Sequence, residues 1–504
     1  MGALKPDFDE FSTLASGDVT HVPVYRELLA DTLTPVSAYQ RLTAGGGASE
    51  HSFLLESVEG GEFVGRYSFL GAAPKMIVSG SGEGAEMTGP DGSVVRSEEL
   101  DPLSALEGAL LHYRSAELPG LPRFSGGAVG YAGYDLVRLY EPLPDAPEGG
   151  LGLPDLLFGV YTTLVIFDQV KKTISVVHHA DTVDRDLREA YDGAAREIDA
   201  VCERLKATAD APLLEIEQRR GEAVDFESNF EKPEYMKVVE RVKEYIAAGD
   251  IIQCVPSQRL SAGTSASALD IYRTLRVVNP SPYMFLLSLG EAELIGSSPE
   301  VMVRLDSGTI TVRPIAGTRR RGETPEEDAT LAAELLADPK ERAEHVMLLD
   351  LGRNDVGRVA VYGSVKITEE MIVEYYSHVM HIVSNVEGKL KPDMTAFDLL
   401  RSALPAGTVS GAPKVRAMQI IDEMESDRRG PYAGAVGYFD FHGNFDTCIA
   451  IRTMVKTGAT VHVQAGGGVV ADSVPELEYE ETLNKARALL QAVAMAERSL
   501  ASGV

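Results

Sequence analysis

Tryptophan is missing altogether from the 504 residues, and cysteine occurs three times, at Cys202, Cys254 and Cys448. The cysteines lie far apart without C-x-x-C spacing, which argues against a structural zinc and for a reducing compartment, with the cytoplasm as the default. Positive charge is scarce: 47 Lys and Arg stand against 76 Asp and Glu, a formal charge of −29. That balance disfavours nucleic acid or an anionic membrane as a partner. It also means that an anionic substrate needs a local reversal of charge, from metal, arginine or backbone donors. No apolar run reaches the roughly 18 residues of a membrane span. The opening M-G-A-L-K-P-D-F-D-E-F lacks the charged-then-apolar pattern of a signal sequence. A chain of this length would usually contain several tryptophans. Drift in composition explains their absence, and so would an enzyme that must be translated when tryptophan is scarce.

What is present is ordinary for a soluble globular protein with ample core, 44% hydrophobic and 24% charged, long enough for roughly two to four domains. Residues 1–205 read as mixed strands and helices, 206–229 as a polar, proline- and charge-rich linker, and 230–504 as a second region. F-L-L-E-S-V and R-Y-S-F-L-G are expected to be strands joined by the E-G-G-E turn. Helices are expected over 184–206, 233–248, 325–350 and 476–499. Strands are expected over 251–258, 283–289, 293–297, 301–305, 309–314, 434–441, 445–456 and 460–465. Consecutive strands pair as hairpins in V-R-L-D-S-G-T-I-T-V and Y-F-D-F-H-G-N-F-D-T. The expected class is therefore α+β, with antiparallel sheets packed against helices.

The densest signal lies in Q-A-G-G-G-V-V-A-D-S-V-P-E-L-E-Y-E-E-T-L-N-K, residues 464–485. Bare glycine backbone at Gly466, Gly467 and Gly468 can point N–H groups at an anion. The carboxylates beyond Pro475 are what a hard divalent cation needs. The plain alternative is a tight turn before an acidic helix start, with Glu481 paired to Lys485 at i,i+4. Glu344 sits on an amphipathic helix whose buried side is expected at Val346, Met347, Leu349 and Leu351. A solvated helix face is its plain alternative. Glu300, in the G-S-S-P-E turn, is a carboxylate where Asp, Asn or Ser is commoner; if desolvated it has a raised pKa and can act as a general acid. His381 lies on an apolar strand face, where a satisfied core histidine is the commoner finding. Arg452 reads as a charge inside an apolar strand and needs an anionic partner, structural or substrate. Gly317 and Thr318 offer donors after a strand. Ser410–Lys414 is a further donor loop or merely a helix start.

These motifs resemble the chorismate-utilising enzymes. The resemblance rests on G-S-S-P-E, P-I-A-G-T, A-E-H-V-M-L-L-D-L-G-R-N-D, S-H-V-M-H-I-V-S, G-T-V-S-G-A-P-K-V-R-A-M, G-P-Y-A-G-A-V-G-Y and the closing glycine–carboxylate segment. Their order and spacing agree from about Phe230 to Arg498. The resemblance implies a two-domain chorismate-binding sandwich, with a regulatory α+β domain at 1–205 and a catalytic domain at 230–504. It implies Mg²⁺ held by Glu344 and Glu481. It places Arg452, Tyr432, Gly317, Thr318 and the Gly466–Gly468 backbone on chorismate, Thr408 beside the substrate, and Glu300 and His381 at the acid/base positions. Gln253 stands where water-adding members carry a base lysine, which favours ammonia as nucleophile. Ala316 replaces the lysine typical of aminodeoxychorismate synthases. L-L-E-S and N-P-S-P-Y-M-F resemble a tryptophan feedback site, lined here by Ser57, Pro282, Tyr283 and Met284.

The implied reaction is amination of chorismate with loss of pyruvate, giving anthranilate and opening tryptophan biosynthesis. No cysteine lies in a G-x-C-x-G elbow, and nothing after Val504 could hold a glutaminase. Ammonia is therefore expected from a separate glutamine amidotransferase subunit, in a heterotetramer. An aminodeoxychorismate synthase subunit and a catalytically silent tryptophan sensor are the alternatives; intact carboxylates at Glu300, Glu344 and Glu481 speak against the sensor.

Overall fold

A computed structural model describes residues 3–44, 50–57, 65–98, 101–207, 214, 224–376 and 379–501. The expected E-G-G-E turn and most of the 206–229 stretch lie outside the described residues. Two large sheets, of eleven and twelve strands, are built entirely from antiparallel pairs among the described residues. The α+β class with antiparallel sheets and packed helices is what the structure has.

The sheets lie face to face with helices on both outer sides, as one strand shows. In Tyr283–Leu289, Phe285, Leu287 and Leu289 join the cluster between the sheets, which includes Phe53, Tyr161, Val436 and Cys448. Met284 and Leu286 point the other way, into a cluster with helices Pro35–Thr43, Leu187–Lys206, Ala268–Val278 and Pro475–Ala501. Successive side chains point to opposite faces, and both faces are buried. This is why the segment reads as continuous apolar sequence rather than alternation. The outer face of the twelve-stranded sheet is covered in the same way by Pro102–Leu110, Pro339–Val359 and Ala396–Ala403.

Strands from 1–205 and from 230–504 contribute to both sheets. His51–Glu56 pairs with Tyr283–Leu289, and Gly127–Ala132 pairs with Ala435–Asp440. The chain passes between the sheets at two corners that matter for function. Ser298, Pro299 and Glu300 connect strand Ala292–Ser298 of the eleven-stranded sheet to Val301–Asp306 of the other. Residues 450–452 connect Phe445–Ile449 back to Thr453–Thr457. The single strand expected over 445–456 is thus two, and Arg452 sits not inside a strand but at the corner, with φ +50°. The Ile449 N–H donates to the Glu300 carbonyl (3.0 Å) and Ser298 Oγ donates to the Ile449 carbonyl (2.7 Å), so the two corners are stapled together.

Candidate active site

Glu300 emerges from its corner into the interior, with 6% of its surface exposed. Burial pushes its carboxyl up to about 7, while the Thr408 hydroxyl and the charges of Arg452 and Lys485 act in the opposite direction. Thr408, on the one-turn helix Gly407–Val409, donates to Glu300 Oε1 at 2.8 Å. Arg452 faces the same space. Burial lowers its pKa, and Tyr432, Glu481 and Glu300 oppose that effect. Among the described residues its guanidinium has no salt-bridge partner, so the structural ion pair considered from sequence is not there. An unpaired, largely desolvated arginine beside a neutral-poised glutamic acid is a seat for a substrate carboxylate.

Each residue of the glycine run is met by a polar side chain. A Cβ on Gly466 would lie 2.7 Å from the Pro256 carbonyl oxygen and 3.1 Å from Tyr432 Oη; on Gly467, 2.9 Å from Glu478 Oε2; on Gly468, 2.6 Å from Gln253 Nε2. At Gly466 the close atom is fixed backbone, so a side chain there is excluded, whereas at Gly467 and Gly468 the close atoms are the movable ends of Glu478 and Gln253. The Gly467 N–H donates to the Pro256 carbonyl (3.2 Å) and the Gly466 N–H is directed at the Tyr432 hydroxyl, so two of the three amides are already engaged. Tyr432 is buried, and burial pushes its hydroxyl up to about 12, leaving it a neutral donor.

Helix Pro339–Val359 begins on Asp338, which accepts from the Lys340 and Glu341 amides, with proline in its first turn. Its buried side is His345, Leu348, Leu349, Gly352 and Val356. Val346, expected inside, is 44% exposed. Glu344 is half-buried and accepts from Gln253 Nε2 at 3.3 Å. Burial raises its pKa, and Glu341 and Glu481 raise it further. Glu481 is exposed and paired with Lys485 Nζ at 2.7 Å, so the i,i+4 ion pair weighed from sequence does form. The same lysine donates to the Gly466 carbonyl at 2.8 Å and bears electrostatically on Glu300 and Glu344.

Among the described residues no three acidic or histidine side chains gather as a metal-ligand set. What gathers is an excess of carboxylate around one lysine. Buried Glu478 Oε2 and Gln253 Oε1 have no hydrogen-bond partner. Burial raises the Glu478 pKa, and Glu481 adds to the rise. Two carboxylates and orphaned oxygens, with the remaining positions left to substrate and water, suit a small hard divalent cation.

His381 pairs in register with Thr318 across the strands Ile315–Arg320 and Val379–Lys389. Its Nδ1 lies 2.9 Å from the Gly317 carbonyl and 3.2 Å from Thr318 Oγ1. A carbonyl can only accept, so Nδ1 carries the proton and Nε2 keeps its lone pair. Burial lowers the His381 pKa, against the effect of the Gly317 bond. Gly317, at φ +67°, makes the bulge that turns this carbonyl toward the imidazole.

A second site lies between the sheets. Ser57, Pro282, Tyr283 and Met284 all line one cavity of about 560 Å³. One wall is polar: Tyr283 Oη donates to Asp446 Oδ1 (3.0 Å), and Arg304 donates to Asp446 Oδ2 (2.9 Å) and to Tyr283 Oη (3.0 Å).

Sequence reasoning named Lys485 only as the ion-pair partner of Glu481 and gave Glu478 no role. Residues 478, 481 and 485 recur at helical spacing after Pro475, so the i+3 rule could have added Glu478 to that pair. It also missed a scaffold. Arg429 pairs with Glu425, their side chains 1% and 4% exposed. Arg429 donates to the carbonyls of Val409 and Val255, and Glu425 accepts from Ser257 N and Oγ. This buried pair ties the loop after Thr408 to the strand beside the glycine run. Within Ser410–Lys414, Gly411–Ala412 is a short strand paired with Gln253–Cys254, and only Lys414 enters the helix Lys414–Met424, where it pairs with Asp355 at 2.8 Å.

The fold agrees with what the chain is similar to. The family description "chorismate binding enzyme" matches residues 33–491. Anthranilate synthase component 1 of Pseudomonas putida is 48% identical over 501 residues, covering 98% of this chain and 99% of the relative. That of Acetivibrio thermocellus is 47% identical over 492 residues, covering 97% and 98%. The crystal structure of anthranilate synthase component I from Streptococcus pneumoniae superimposes with a TM-score of 0.76 at 38% identity, over 92% of this chain and 99% of that one. The menaquinone-specific isochorismate synthase of Escherichia coli, at 17% identity and TM-score 0.68 over 96% and 98%, shares the fold. The chain belongs to the chorismate-binding enzymes, and within them to the anthranilate synthase component 1 group.

Proposed function

We propose that the chain converts chorismate and ammonia into anthranilate, pyruvate and water, with Mg²⁺, under feedback inhibition by tryptophan. The observation that carries the reaction is Glu300, buried, hydrogen-bonded by Thr408 and poised near neutrality beside an unpaired arginine. Chorismate is a dianion, and an acidic protein must reverse its own field to hold it. Arg452, the Tyr432 hydroxyl and the glycine-run backbone do so at one end of the site.

The cation, held by Glu344 and Glu481, would neutralise a substrate carboxylate and draw electron density from the ring. Glu481 exchanges its Lys485 contact for that role. The chain's own residues carry the proton transfers. As ammonia forms the new C–N bond at C2, the ring double bonds shift and the C4–O bond breaks. Glu300 gives its proton to the departing hydroxyl, which leaves as water. The intermediate then loses the proton at C2 to His381 Nε2, the nitrogen left free by the Gly317 bond. The C3–O bond breaks, the ring becomes aromatic, and the enolpyruvyl group departs as an enolate, which takes up the proton shed by the newly bonded ammonium nitrogen to become pyruvate. Gln253, amide rather than ammonium, places no acid or base of its own beside the nucleophile.

Ammonia comes from a separate glutamine amidotransferase subunit in a heterotetramer. The cavity lined by Ser57, Pro282, Tyr283 and Met284 takes tryptophan, the product whose supply the reaction feeds. The test is the fluorescence gain of the purified chain on chorismate and ammonium, with and without Mg²⁺ and with tryptophan titrated in. Absence of Mg²⁺-dependent anthranilate refutes the reaction. A stable non-aromatic amino product would mark an aminodeoxychorismate-type enzyme, and undiminished rate at saturating tryptophan would remove the feedback reading.

A further inference from the structure

We infer that Ser297 is the positioning residue through which the tryptophan cavity acts on the substrate-binding arginine; the inference rests on the tryptophan reading of that cavity. Ser297 is fully buried, 0% exposed, in strand Ala292–Ser298. It stands opposite Met284, one of the cavity-wall residues, in the antiparallel register. Three of its contacts reach backward along the chain. Its hydroxyl donates to the Asn279 carbonyl, accepts from Asn279 Nδ2 at 2.8 Å, and lies 3.1 Å from Ser281 Oγ. Asn279 to Ser281 is the segment that leads directly into Pro282, Tyr283 and Met284, so Ser297 clamps the near side of the cavity wall.

The fourth contact goes the other way. The Ser297 N–H donates to the carbonyl of Arg452 at 3.1 Å. That peptide lies at the corner between the sheets, where Arg452 holds a left-handed φ of +50° that a non-glycine residue keeps only under constraint. A shift of strand Ala292–Ser298 therefore moves the Arg452 peptide and re-aims its guanidinium relative to Glu300. A ligand that displaces the 279–284 segment pulls on this serine. A site-to-site coupling needs such a shared element that both ligands bias, and Ser297 touches the frame of each.

The test compares wild type, Ser297→Ala and Asn279→Ala, with folding checked by thermal melting. With ammonia left out so that no turnover occurs, tryptophan affinity is measured by calorimetry with and without chorismate, and chorismate affinity with and without saturating tryptophan. Linkage requires the two binding coupling factors to agree, typically about 5- to 150-fold. The expected result is that Ser297→Ala still makes anthranilate and binds tryptophan within about threefold of wild type, while the coupling factor falls to within about twofold of unity. Asn279→Ala, which reaches the same link from the loop side, is expected to lower the factor in part, and it decides the matter if the serine variant does not fold. Unchanged coupling in both variants overturns the inference. So does loss of tryptophan binding in Ser297→Ala, which would make the serine part of the cavity's own frame. Failure of wild type to bind tryptophan is a separate result: it removes the feedback reading itself, and this inference with it.

Discussion

Replacing Glu300 with glutamine keeps the shape and the Thr408 hydrogen bond but removes the titration. The wild-type carboxyl moves from an ordinary value of 4.5 in the unfolded chain to about 7 in the fold. The folded state therefore binds the proton more tightly. Stability from this group is fully present below about 4.5 and is lost as pH rises through 7, because the buried carboxylate must then form. The shift corresponds to about 3 kcal/mol. With an unfolding entropy near 2.1 cal/mol/K per residue, a chain of this size loses about 3 °C of Tm for that energy. The assay is the melting temperature of wild type and Glu300→Gln from pH 4.5 to 8.5. The gap should open with rising pH, the variant gaining about 3 °C relative to wild type across the range. Turnover moves oppositely: a general acid contributes about 10²–10⁴-fold, and the variant should lose that much. At fixed free ammonia, wild-type kcat should fall as pH rises past about 7. A Tm gap that does not change with pH, or a turnover loss below tenfold, refutes the assignment.

Other consequences follow from the same geometry. On the proposed metal role, chelation should abolish turnover, and Glu344→Gln should raise the Mg²⁺ needed for half-maximal rate by about tenfold or more, since the proposed site would lose a carboxylate; Mg²⁺ titration of the fluorescence assay checks both. Arg429→Met leaves Glu425 buried without its cation and should cost about 3–5 kcal/mol in denaturant unfolding, while adding Glu425→Gln should recover part of it. His179 is buried between Ser115 Oγ (2.9 Å) and the Ser125 carbonyl (2.9 Å), and burial lowers its pKa to about 3. The unfolded chain therefore takes up the proton first as pH falls below 6.5, and stability should drop by about 2 kcal/mol between pH 6.5 and 5 from this residue alone. His179→Gln should flatten that slope, measured by denaturant midpoints at each pH.

Much of this was readable in the sequence because it is local. Pro299 and the two serines before it announce the turn that aims Glu300 inward, and D-S-G and F-H-G-N announce the hairpins. The start of the last helix follows from Pro475, whereas the one helix expected over 325–350 is two, Pro325–Ala337 and Pro339–Val359, parted where Asp338 caps the second. What was hidden is what other parts of the chain impose. Nothing in I-A-I-R-T, with neither glycine nor proline, signals that the strand breaks at Arg452; the break exists because the chain changes sheets there. Nor could spacing relate Glu344 and Glu481, which lie on separate helices; in the fold Glu481 bears electrostatically on Glu344. The buried side of Pro339–Val359 was placed half a turn off because Val346 looks like core by type and is not by position.

The sharing of both sheets by early and late strands has a consequence for the order in which the protein can be made. His51–Glu56 needs Tyr283–Leu289, more than 200 residues later, and Gly127–Ala132 needs Ala435–Asp440. During synthesis the first strands leave the ribosome with open edges and wait for partners not yet translated. Contacts this distant form slowly, and the waiting edges are exposed to mispairing. A truncated chain would lack half the wall of the cavity between the sheets, so the tryptophan response proposed for that cavity would belong only to a chain carrying both sets of strands.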